Sequence, residues 1–316
     1  MQALVFENEL ELRSDYPEPT AIHEESVVRV ALAGICGTDL EIARGYMGFK
    51  GIPGHEFVGR VVETHNPELR GQRVVGEINA GCGTCRECEH GLARHCANRT
   101  VLGILGRNGA FADYLRLPDR NLIAIPDSIP DEVAVFVEPI AAAYEIFEQL
   151  KIDHSKSVVI LGDGRLGALV AMAFKAEGYE PLVAGHHRDK LERLGELQIK
   201  ITEEFALSGK FDVVVDCTGQ GAGFQRAIDI VKPRGTIVLK STAAAGAQLN
   251  LAPVVINEIT VQGSRCGRFA PALEALAASR IDPRPLIDRT FTLSDGLRAI
   301  EAAKEPFHFK ILLKPS

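Results

Sequence analysis

The chain has 316 residues, 46% hydrophobic and 24% charged, a composition that supports about two globular domains with an ample core. Lys and Arg total 35 against 42 Asp and Glu, so the formal charge is −7 and no basic block is present to grip nucleic-acid phosphates. No apolar run reaches the ~20 residues of a membrane span, and the N-terminus lacks a basic segment followed by an apolar one, so neither a membrane nor secretion is expected and the expected location is cytoplasmic.

The first third reads as short β segments. Ser26–Leu32, Phe57–Glu63 and Gly71–Gly76 are strand-like, and Gly and Pro punctuate the stretches between them. This pattern suits a barrel-like or partly open β domain. From Asp131 to Leu150 the composition is helical, with Pro139 expected to break it into two helices. Strands and helices then alternate. Val158–Leu161 precedes a helix from Leu166 to Glu177, Leu182–Ala184 a helix near Lys190–Leu197, and Asp212–Asp216 a helix near Phe224–Val231. Strands at Thr236–Leu239 and Ile259–Val261 follow. Apolar strands alternating with helices predict an α/β fold whose doubly wound parallel sheet is covered on both faces. Helices at Ala270–Ser279 and Ser294–Lys304 and a strand from Lys310 to Leu313 end the chain.

Gly162-Asp163-Gly164-Arg165-Leu166-Gly167 has the form G-x-G-x-x-G directly after a strand and at the start of a helix, the context of a dinucleotide fingerprint. The first Gly permits the turn, the second lets backbone approach a pyrophosphate, and the third lets the helix lie close on the strand. The helix start offers free N–H groups to the phosphates. At the end of the next strand stands Gly185 rather than an acid, followed by His186, His187 and Arg188. Without a carboxylate to hold the ribose 2′-OH, and with a basic run nearby, NADP is favoured over NAD.

Four of the seven cysteines, Cys82, Cys85, Cys88 and Cys96, fall within fifteen residues. In a reducing compartment such a cluster reads as a closed tetrahedral zinc site in a lobe of about residues 80–98. Cys36, His55 and Glu138 are spread along the chain, yet together they offer a thiolate, an imidazole and a carboxylate. Three protein ligands leave a fourth position open, as a catalytic zinc requires.

The ordered set Gly34-Ile35-Cys36-Gly37-Thr38-Asp39, Gly54-His55-Glu56-Phe57-Val58-Gly59, the four-Cys lobe, Phe136-Val137-Glu138-Pro139, the Gly-rich fingerprint and Lys310-Ile311-Leu312-Leu313 resembles the zinc-dependent medium-chain dehydrogenase/reductases, which include alcohol, sorbitol and threonine dehydrogenases. The resemblance covers essentially the whole chain. It implies a GroES-like catalytic domain of residues 1–139 and 267–316, with a Rossmann cofactor domain of residues 140–266 inserted into it. It places Cys36, His55 and Glu138 at a catalytic zinc, with Glu56 as an acid that exchanges onto the metal, Asp39 orienting the ligand His, and Thr38 starting a proton relay. Cys82, Cys85, Cys88 and Cys96 would hold a second, structural zinc. Gly162, Gly164, Arg165, Leu166, Gly167, His186, His187, Arg188, Thr218, Ser241, Thr242 and Lys310 would line the cofactor, with Lys310 near the pyrophosphate. Glu41 stands where many members carry a His at the end of the relay. Tyr46, Phe49 and Arg265 are further candidates near the metal.

The implied reaction is hydride transfer between an alcohol and NAD(P), giving an aldehyde or ketone, in a homodimer or homotetramer with no partner beyond its small-molecule substrate. A zinc-independent NADPH quinone or enone reductase on the same scaffold, and a non-enzymatic zinc-dependent binding or regulatory protein, are the alternatives. An intact ligand set argues against the first and the cofactor fingerprint against the second.

Overall fold

The computed structural model describes residues 1–240 and 248–315. The chain divides into two compact units, one of Met1–Glu138 with Ala272–Ser316 and one of Pro139–Pro271. No helix among the described residues is long and apolar enough to cross a membrane.

The first unit is built on a sheet whose hub is the ten-residue strand Glu25–Gly34. Its first half pairs antiparallel with Tyr114–Pro118, and Glu56–Glu63 runs antiparallel along most of its length. Its last residues, Ala33 and Gly34, pair with Leu313 and Leu312 of the C-terminal strand Lys310–Lys314. That pairing closes the unit from both ends of the sequence. Side chains of the hub are buried along most of its length, and its backbone is paired with three neighbouring strands. A small sheet of Asn79–Ala80, Thr100–Leu102 and Gly106–Arg107 pinches the chain around residues 81–99, so the cysteine lobe is an excursion with anchored ends.

The second unit holds, among the described residues, a parallel sheet in the order Lys200–Glu203, Leu182–Gly185, Val158–Leu161, Phe211–Asp216, Val231–Leu239 and Thr260–Gly263. Val158–Leu161 is wholly buried, as its unbroken apolar run predicts. The strand order reverses between Val158–Leu161 and Phe211–Asp216, and a nucleotide binds at such a reversal, beyond the carboxyl ends of the strands.

Three sequence expectations shift. The break in the 131–150 segment falls before Val137, because helices span Asp131–Ala134 and Val137–Gln149. Pro139 lies inside the first turn of the second helix, where an amide proton has no intrahelical partner to lose. The strand Lys200–Glu203 carries one apolar residue, the exposed Ile201, too little to mark a strand, and is found through its pairing with Leu182–Gly185. The second unit also extends to Pro271 rather than 266. Gly267 lies so close to Ala141 that an added Cβ would sit 2.0 Å from the Ala141 carbonyl oxygen, and Arg268 pairs with Glu148.

Candidate metal centres and nucleotide loop

Cys36 caps the short helix Gly37–Ile42 at the end of the hub strand. Asp39, buried in the first turn of that helix, organises the surroundings. Its Oδ2 accepts the Cys36 amide at 2.8 Å and its Oδ1 accepts the Gly54 amide at 3.1 Å. The same Oδ1 lies 3.2 Å from His55 Nδ1, leaving Nε2 as the ring's other donor atom. Gly54 holds φ +96°, and a Cβ there would strike the Phe111 ring at 2.4 Å, so the turn that presents His55 requires glycine.

Donor atoms of Cys36, His55 and Glu56 lie within 4.8 Å of one another. Burial works against the His55 imidazolium, but the charges of Asp39 and Cys36 outweigh it and hold the ring well above its usual range. The pocket of donors therefore favours a positive charge at its centre, which a divalent metal supplies. The third member of the set is the adjacent Glu56. Glu138, half-buried at the start of the helix Val137–Gln149, stands outside this trio. Glu56 Oε2 accepts a hydrogen bond from the buried ammonium of Lys310, which also lies 5.4 Å from the centre of the Phe136 ring. Gly34 makes room for this arrangement, since a Cβ there would sit 2.3 Å from Glu56 Oε2. The resemblance places Lys310 at the pyrophosphate; its ammonium is buried and paired with Glu56, one of the three clustered donors.

Thr38 Oγ1 lies 4.0 Å from Cys36 Sγ. Glu41 is paired with Arg44 at 2.6 Å on the surface. Phe49 packs with Phe6 and Ile42 in a buried cluster that Tyr46 also joins, which makes Phe49 a core residue rather than a pocket wall.

In the lobe, Cys82, Cys85, Cys88 and Cys96 also lie within 4.8 Å of one another, and all four are free thiols. Cys96 Sγ is 3.6 Å from both Cys85 Sγ and Cys82 Sγ. Four thiolates at about 2.3 Å from a tetrahedral zinc stand about 3.8 Å apart, so the spacing fits the ion. Hydrogen bonds from Thr84 pull the Cys82 thiol down to about 6. At Cys85 the Cys88 amide acts in the same direction, but desolvation and the neighbouring sulfurs push the thiol up to about 12. Four crowded sulfurs ionise unequally unless a cation sits among them. Gly81 is needed here, because a Cβ would meet Cys88 Sγ at 2.8 Å.

In the second unit the Gly-rich loop fits a pyrophosphate. Gly162 adopts φ +106°, Gly164 has open space on its Cβ side, and a Cβ on Gly167 would sit 2.0 Å from the Gly162 carbonyl oxygen. Gly164 caps the helix Arg165–Ala176, whose first turn contains Arg165 and Leu166. His186 Nε2 is 2.7 Å from Glu204, and Arg188 Nε is 2.8 Å from Glu192, so both basic groups already face carboxylates. The exposed Arg188 pair is weak enough for a phosphate to displace. Thr218 donates its hydroxyl and amide to Asp216 at 2.7 and 2.9 Å, a turn that holds its side chain beside the Gly-rich loop's sheet. Ser241 and Thr242 lie outside the described residues. The sequence reading passed over Asp163, the residue between the first two glycines, which is buried and bonded to His187. The empty Gly185 side chain was the available signal.

Comparison with known proteins identifies the family of both halves of the chain. Residues 23–127 match the alcohol dehydrogenase GroES-like domain and residues 166–279 match the zinc-binding dehydrogenase domain. An L-threonine 3-dehydrogenase of Chelativorans sp. strain BNC1 is 31% identical over 270 residues, 78% of each chain. An alcohol dehydrogenase of Escherichia coli CFT073 solved with NADH superposes with a TM-score of 0.90 at 25% identity over 99% of each chain. A zinc-binding dehydrogenase of Sinorhizobium meliloti 1021 bound to NADP gives 0.89 at 25% identity, again over 99% of each chain.

Proposed function

The chain belongs to the zinc-dependent medium-chain dehydrogenase family, and on that premise we propose that it oxidises a secondary alcohol, polyol or sugar-like substrate with NADP, using one catalytic and one structural zinc. It is an NAD(P)-dependent alcohol oxidoreductase. The observation that carries the finer reading is the convergence of Cys36, His55 and Glu56 over a buried Asp39.

When bound, zinc makes an alcohol hydroxyl acidic and the nicotinamide accepts the hydride. The chain's residues do the rest. Asp39 fixes the His55 ring and the Cys36 backbone together, so two ligands from distant segments hold one geometry. Lys310 balances the charge of Glu56. Cys36 and Glu138, the latter a ligand in this reading, then supply the two negative charges that match a divalent cation. Thr38, close to Cys36, receives the substrate proton. Glu41 is tied to Arg44 on the surface, so it is not the group that would take the proton on from Thr38.

The lobe's four thiolates leave no open position for substrate, which supports a structural role. The absence of an acid at Gly185 and the run His186–Arg188 support NADP. Val255 and Ile256 are 79% and 77% exposed beside the edge strand Thr260–Gly263, which supports self-association into a dimer or tetramer through that edge.

Metal analysis should find two zinc per chain. Turnover of a panel of alcohols and carbonyls, followed by nicotinamide absorbance, should be faster per concentration of NADP than of NAD. A chain free of zinc that turns over undiminished would return the reading to the zinc-independent reductases.

A further inference from the structure

The end of the strand Leu182–Gly185 is where an acid of this fold would meet the adenosine ribose. Gly185 occupies that position, and the space beside it is filled. A Cβ on Gly185 would lie 2.3 Å from Asp163 Oδ2 and 2.5 Å from Asp163 Cβ and Cγ. Asp163 comes from the Gly-rich loop, so a loop carboxylate occupies the volume a strand-end side chain would need.

That carboxylate is not presented to a ribose. Asp163 is 4% exposed. Its Oδ2 accepts the His187 amide at 2.6 Å and its Oδ1 faces His187 Nδ1 at 2.9 Å. A carboxylate only accepts, so Nδ1 carries the proton and Nε2 is the ring's remaining polar atom. The ring is 45% exposed. Its two basic neighbours face other carboxylates, His186 toward Glu204 and Arg188 toward Glu192. Glu203 and Asp189 are the further charges near Arg188.

We propose that His187 is the residue that meets the 2′ position of the adenosine ribose, that Asp163 is the positioning residue behind it, and that the pair selects a 2′-phosphate over a free hydroxyl. The inference rests on the nicotinamide-nucleotide reading above. With Nδ1–H donated to a buried carboxylate, Nε2 is the atom that faces outward, and a proton placed there on binding is donated to the anion as a charge-assisted hydrogen bond. Asp163 is buried with each oxygen turned to His187, so the carboxylate is held away from a ribose diol. Fixing the ring in advance removes the rotamer entropy that a free surface His would lose on binding phosphate.

The test titrates NADPH and NADH separately into the full-length chain, reading nicotinamide fluorescence, with thermal melting as the check on folding. His187→Gln should weaken NADPH about tenfold, the size of one charge-assisted hydrogen bond, and leave NADH within about twofold. Asp163→Asn should weaken NADPH by about threefold alone and by nothing further in the His187→Gln background, since Asp163 acts through the ring. Equal losses for both nucleotides, or an Asp163→Asn effect that persists without the ring, would overturn the proposal. Wild-type protein that binds both nucleotides equally would overturn the 2′-phosphate selection alone. Wild-type protein that binds neither would overturn the nucleotide reading beneath it.

Discussion

The two cysteine-bearing donor clusters are assembled in opposite ways. The lobe draws four identical ligands from fifteen consecutive residues, and a small sheet pins its two ends. The Cys36 site draws unlike ligands from segments that meet only when Glu25–Gly34 pairs with Glu56–Glu63 and with the C-terminal strand. The first cluster is a local loop, and the second is a by-product of the unit's finished sheet. Metal loss should therefore unfold the lobe and leave the Cys36 site formed but inactive.

Cys36→Ser should give the largest effect on activity, at least about a thousandfold in kcat/KM, with about one zinc lost per chain and little change in melting. A melting point that collapses with this variant would mean that the site is structural. Cys96→Ser should do the reverse. Cys96 is fully buried with two sulfurs at 3.6 Å, so the lobe should lose its zinc and about 2–4 kcal/mol of stability, read in urea, while the folded fraction still turns over. Asp39→Asn comes next. The amide keeps the shape but loses the charge facing His55, and zinc affinity at the Cys36 site should fall about 10- to 100-fold in a chelator competition while the lobe keeps its metal.

The same contrast explains what the sequence revealed. The lobe was legible because its chemistry is contiguous, and the G-x-G-x-x-G loop because strand, glycines and helix adjoin. Cys36 and His55 had the right ligand chemistry, but the resemblance was needed to bring them together, since nineteen residues of spacing imply no contact by themselves. The Glu56–Lys310 pair spans 254 positions and belongs to the register of the sheet, which no local pattern encodes. Asp163 was hidden for a related reason. The cofactor fingerprint is read from its glycines, and the side chain between them matters only because Gly185, on another strand, leaves room for it. The edge strand Lys200–Glu203 escaped because its one apolar residue, Ile201, is exposed and leaves no alternation to read.

The smallest test of near against distant partners lies away from both metals, in the second unit. Asp212 lies near the start of the strand Phe211–Asp216 and accepts the Ser157 amide and hydroxyl at 2.9 and 2.6 Å and the Lys232 ammonium at 2.8 Å. Burial works against its charge, but Lys232 and Ser157 outweigh it and hold the carboxyl far below its usual range. Its folded pKa lies below the unfolded value, so the stabilisation is complete above about pH 4 and is lost as pH falls through the folded value. Asp212→Asn should cost about 1 kcal/mol at pH 7, the partly exposed Lys232 limiting the gain, and the gap to wild type should close as the buffer is taken below about pH 4. Zinc content and NADPH binding should not move. A gap that stays constant across that range would assign the cost to lost hydrogen-bond geometry rather than to charge, and a change in zinc content would show that the two kinds of assembly are coupled.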